Sequence, residues 1–151
     1  MTVWIFFHVL FVFVAFAFTT GVGVVMAAIA RSADPRAIRV AVRAGRPMTI
    51  VGGVLLLLAV VVGFATTAKM QVPLSAPWLV AAYIMAAVLL LVGPLVFAPW
   101  LARLGAAAQA SPDDRASAEL IAVANARAPA IAGPVSGLMW LGLLYVMFFK
   151  P

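Results

Sequence analysis

Asp, Glu, Lys and Arg are absent from four long stretches of the chain, residues 3–30, 48–68, 70–102 and 128–149. Within them the apolar residues run on all sides, with neither the alternation of a half-buried strand nor the stripe of a surface helix. About 20 apolar residues cross a bilayer core as a helix. The pattern therefore predicts membrane helices over about 3–30, 48–68, 77–104 and 129–149. The expected fold is all-α, an integral-membrane four-helix antiparallel bundle with short cytoplasmic surface helices, organised as one transmembrane domain over 1–151. The first stretch lacks a basic leader and exceeds the usual signal-peptide core, so it is expected to remain as helix 1.

Polar punctuation refines the boundaries. Asp34-Pro35 reads as a cap followed by proline at the first helical position. Arg36, Arg39, Arg43 and Arg46 then recur at helical spacing and form one stripe, read as a surface helix with its arginines among lipid headgroups. Ser75 is a candidate cap before Pro77, with Trp78 as an interface anchor. Pro94 predicts a kink in helix 3. Ser111-Pro112-Asp113-Asp114 reads as the start of a second surface helix, with Arg115 and Glu119 as an i, i+4 pair. Thr19 is placed to bond back to the preceding turn. In helix 4, Gly133 and Gly137 form a small-xxx-small face suited to helix packing, with Trp140 continuing it. The two halves share an outline, a membrane helix, a basic segment and a second membrane helix, without a residue-level repeat.

Composition agrees, with 67% hydrophobic and 9% charged residues. The net charge of +6 matters less than its placement. Arg31, Arg36, Arg39, Arg43, Arg46, Arg103, Arg115 and Arg127 lie in two loops on one side; only Lys69 and Lys150 lie on the other. Short basic loops stay in the cytoplasm, so both termini are expected outside. Membrane lipids explain this charge without a nucleic-acid partner. The absence of cysteine excludes disulfides, thiolate metal sites and cysteine nucleophiles.

Candidate chemistry is sparse. The four acids, Asp34, Asp113, Asp114 and Glu119, all lie in the basic loops. No catalytic triad, paired carboxylates, phosphate loop or dinucleotide fingerprint occurs. His8, the one histidine, stands inside the first of the stretches that lack Asp, Glu, Lys and Arg. Intramembrane ionisable groups are functional candidates. The antiparallel arrangement puts Tyr83, Tyr145, Met85 and Met147 at similar depth. Two readings stand: a hydrogen bond within the bundle, or a ligand to haem b or copper with Met85 or Met147 as the second donor.

"FFHVL", the basic segment, and "PLSAPWLVAAYIMAAVLLLVGPLVFAPWLARL" together resemble a bacterial family of integral membrane proteins of unknown function. More distantly, "VWIFFHVL" and the closing "FFKP" are similar to the HemJ-type membrane protoporphyrinogen oxidases and to CopD-type copper-resistance proteins. The HemJ resemblance implies haem or porphyrin chemistry at the helix 1 histidine, matched by His8, and at a lysine early in helix 3. That lysine would fall near Ala82, where none stands, which argues against the oxidase activity. The reading reached is a non-catalytic membrane component, homo-oligomeric through Gly133 and Gly137 or held in a membrane complex. The alternative is a haem- or copper-binding protein using His8.

Overall fold

The computed structural model describes residues 2–149, so the Lys150 placement lies outside the described residues. Seven α-helices occur there: α1 Thr2–Phe16, α2 Val22–Ser32, α3 Pro35–Lys69, α4 Pro77–Val92, α5 Ala98–Ala110, α6 Ala118–Ala124 and α7 Arg127–Phe149. One wide π turn, Ala17–Gly21, joins α1 to α2, and another, Gly93–Phe97, joins α4 to α5. The chain therefore makes four long apolar helices, all candidate membrane spans. These mark it as a polytopic membrane protein.

Local chemistry accounts for the breaks. Asp34 caps α3, its Oδ1 accepting from the backbone N–H of Arg36 at 2.9 Å and of Ala37 at 3.3 Å. The N-cap of α4 is Ala76, with Pro77 behind it and no side-chain bond, so Ser75 does not cap. Pro94 has no N–H to give the preceding turn. The helix answers by widening, and Ala98 N–H closes the turn on Gly93 O, five residues back. In the first π turn Thr19 Oγ1 donates to Ala15 O at 2.7 Å, a side chain inserted into the backbone ladder. Each half of the chain thus opens with a helix, a π turn and a second helix.

Two expectations about the basic loops are corrected. The segment from Pro35 to Pro47 is no separate surface helix; α3 runs through Pro47 for 35 residues. The missing Pro47 N–H leaves one carbonyl of the preceding turn without its helical donor, a defect tolerated near the end of a span, where polar groups can reach it. The stretch Ser111–Asp114 is not helical, and α6 begins at Ala118, capped by Ser117 Oγ accepting from Leu120 N–H at 3.1 Å. Arg115 therefore precedes the helix, and its i, i+4 pairing with Glu119 does not form.

α1 and α3 pack closely along their lengths, as do α4 and α7. The seam that α3 makes with α1, the first π turn and α2 has a simple origin. Gly45, Gly52, Ala59 and Thr66 recur every seven residues on α3 and all are buried, the period that keeps one face against a neighbour. Small residues there let the backbones approach. A Cβ on Gly52 would lie 2.9 Å from Thr19 Cγ2 and 3.0 Å from Phe18 Cβ. At one end Lys69 Nζ lies 5.1 Å from the Trp4 ring centre, a cation–π contact across the same pair.

Two cores stack along the bundle. One joins Ala15, Leu56, Ala82, Leu89, Trp140 and Leu143. Trp140 is 1% exposed and meets Phe16 edge-on. The other lies at the basic end, around the fully buried Ile38, Leu104 and Leu120. A 35-residue helix is about 52 Å long. That exceeds a hydrocarbon core of about 30 Å, so the second core extends beyond the span.

The seam predicts a contrast between adjacent glycines. Gly52→Ala should lower stability in detergent by about 1–3 kcal/mol, because backbone and Cβ atoms of Phe18 and Thr19 must move. Gly53→Ala meets nothing within 4 Å and should be neutral, or stabilising by up to about 1 kcal/mol through helix propensity. Equal effects in thermal unfolding would contradict the seam.

Candidate functional site

His8 sits on α1 where that helix crosses α3. Its Nδ1 lies 2.8 Å from Ala59 O. A carbonyl only accepts, so Nδ1 carries a proton and donates it to this bond. The approach is possible because residue 63 has no side chain: a Cβ there would lie 2.9 Å from His8 Cε1. Gly63 is thus part of the histidine site, one helical turn past Ala59 on α3.

The proposed neighbours of His8 divide between other places. Tyr83 stacks on Phe64 with ring centres 4.8 Å apart, and its hydroxyl is buried without a hydrogen-bond partner. Tyr145 is 56% exposed and contacts Phe149. Met85 and Met147 border the core that α1, α3, α4 and α7 share, and Met85 Sδ is 2.8 Å from the position of a Cβ on Gly142. His8 instead belongs to the α1–α3 pair. Among the described residues no group of three or more His, Cys, Asp or Glu could hold a metal ion. Two threonines at the far end of α3 bond within their own helix: Thr66 Oγ1 donates to Val62 O at 2.7 Å and Thr67 Oγ1 to Phe64 O at 2.9 Å.

The arginine stripe also divides. Arg39 turns inward to the end of α5. Its Nε donates to Ala108 O at 2.8 Å, its Nη2 to Ser111 O at 2.7 Å, and its Nη1 to Asp113 Oδ1. A guanidinium on the last carbonyls of a helix meets both their unpaired acceptors and the negative end of the dipole. Arg36 Nη2 reaches the other carboxylate oxygen of Asp113 at 3.2 Å. Arg43 and Arg46 are exposed. Ser111 Oγ completes the loop, donating to Ala107 O at 2.8 Å and standing 2.9 Å from Ser117 Oγ. The expected helix start at Ser111 and Asp113 is therefore a clasp between α3 and α5. The long-range arginine partners decided it, and local helix signals cannot show those.

Gly133 and Gly137 face open space, with nothing within 4 Å of a Cβ on either. Within the chain, the glycine of α7 that receives a neighbour is Gly142.

The clasp predicts a pH dependence. The Arg39 hydrogen bond, then the charges of Arg36 and Arg39, hold the Asp113 carboxyl below its ordinary range. A carboxylate with a depressed folded-state pKa stabilises the fold above the unfolded pKa, and that contribution is lost as pH falls through the folded value. Wild-type stability should thus fall more than that of Asp113→Asn as pH drops from 5 to below the ordinary carboxylate range. Arg39→Ala should cost about 1–3 kcal/mol at pH 7, more than Arg36→Ala. Parallel pH curves for wild type and Asp113→Asn would contradict the clasp.

No family model, curated protein or solved structure matches this chain. The four long apolar helices identify it as a polytopic membrane protein without assigning it to a family.

Proposed function

We propose that this chain is a non-catalytic component of the bacterial inner membrane, with its basic loops in the cytoplasm and both termini outside. The observation that carries the reading is the use of His8. The one histidine joins two helices, its Nδ1 bonded to Ala59 O and its ring against Gly63. The open faces of Gly133 and Gly137 favour association with a second copy or a membrane partner, because small residues permit close helix approach. Arg43 and Arg46, exposed near the basic end of the α3 span, suit lipid headgroups.

A second reading has one observation in its favour. Metal-bound histidines commonly donate their other ring N–H to a carbonyl, and the His8 bond to Ala59 would present Nε2 to haem iron or copper. One histidine supplies one ligand, so a second would come from Met85, Met147, another subunit or water.

Purified wild type should show no Soret band and no stoichiometric copper, and His8→Ala should remain folded at a cost of about 1 kcal/mol. A cofactor present in wild type and lost in His8→Ala would replace the first reading with the second. In whole cells, an impermeant maleimide should label Ser75→Cys and spare Ala110→Cys; the reverse pattern would invert the orientation.

A further inference from the structure

A groove of about 450 Å³ runs between α5, α6 and the start of α7, and its lining is of two kinds. Leu95 and Val96 of the second π turn and Pro99 give it an apolar lining, and Arg103, one to two turns further along the same span, gives it a charged one together with Glu119. Trp100 forms part of the wall, and its indole N–H is committed to Val123 O at 3.0 Å. Its ring therefore contributes apolar surface. We propose that this groove binds one molecule of an amine-bearing zwitterionic glycerophospholipid. The phosphate sits on Arg103, the primary ammonium on Glu119, and one acyl chain along Leu95, Val96 and Pro99.

Depth is the first argument. α7 begins at Arg127 and has 23 residues, a length of about 34 Å. That barely exceeds the hydrocarbon thickness of about 30 Å. Its first residues, including Ala128 and Pro129 of the groove, therefore lie where acyl chains meet headgroups. The apolar lining then faces the bilayer and the charged lining the headgroup layer. This step rests on the bilayer-spanning reading.

Charge is the second argument. Arg103 and Glu119 are opposite in sign and line one groove, yet the ion pairs among the described residues are those of Arg36 and Arg39 with Asp113. A ligand carrying both charges can engage each side chain with its complement. A guanidinium binds phosphate through two parallel N–H donors. A carboxylate accepts hydrogen bonds from a primary ammonium, which a quaternary ammonium cannot donate. Glu119 would repel the headgroup of an anionic lipid. These rules favour phosphatidylethanolamine over phosphatidylcholine and phosphatidylglycerol.

Native mass spectrometry of the full chain in mild detergent, titrated with each of the three lipids, tests the proposal. Phosphatidylethanolamine should form the most persistent single adduct. Arg103→Ala and Glu119→Ala should each weaken it about tenfold, the loss of one charge-assisted interaction. Glu119→Gln should move the preference toward phosphatidylglycerol. Ala122→Trp, which fills the groove and leaves both charges, should abolish the adduct. Arg103, Glu119 and Ala122 are exposed, and unchanged helicity and elution volume should confirm that each variant folds. Equal adducts for all three lipids, an adduct insensitive to these variants, or a lipid-free dimer in its place would overturn the proposal. Failure of the bilayer reading would show separately, as release of the chain from membranes by alkaline carbonate.

Discussion

Close approach of α3 to the first span, α1, its π turn and α2, is the constraint on which the rest of the structure depends. In a bilayer, lipid tails solvate apolar side chains as well as a neighbouring helix does, so helices associate through packing and a few polar contacts. The seven-residue recurrence of Gly45, Gly52, Ala59 and Thr66 supplies the packing. His8 on Ala59 O and Lys69 over Trp4 supply the polar contacts. The seam also holds the first π turn, because Phe18 and Thr19 are the residues lying against Gly52. With α1 so placed, Ala15 and Phe16 meet Trp140, which ties the first helix pair to the second.

Toward the basic end the helices outrun the bilayer, and different physics takes over. Ile38, Leu104 and Leu120 make a core of the kind water enforces. Above it, Arg39 and Arg36 gather the end of α5 and the Asp113 loop against α3. Hydrogen bonds to ions are stronger than neutral ones, and the half-buried position of Arg39 preserves that strength better than full exposure would. The stripe of arginines thus divides between holding two helices together, at Arg36 and Arg39, and facing outward, at Arg43 and Arg46.

What the sequence made legible follows the range of the forces involved. The four spans depend on composition over some twenty residues and were readable. So were the Asp34-Pro35 start, the Thr19 back-bond and a disruption at Pro94, because each is decided within one turn. The longer-range choices were not. Asp113 carries the local marks of a helix start, but its carboxylate serves arginines more than seventy positions earlier. Pro47 looks like a boundary, yet α3 continues through it. His8 was recognisable as the residue to explain, whereas its partner Ala59 and the space left by Gly63 depend on the register between two helices. The methionines and tyrosines grouped with His8 by depth fall around the bundle, since depth does not fix which face a residue occupies.

The central claim is that His8 serves as a helix-joining donor, and magic-angle-spinning NMR of the protein in bilayers tests it most directly. With labelled histidine and alanine, the account predicts a ring protonated at Nδ1, with that nitrogen in through-space contact with the carbonyl carbon of Ala59. A ring protonated only at Nε2, or an Nδ1 remote from Ala59, would contradict it.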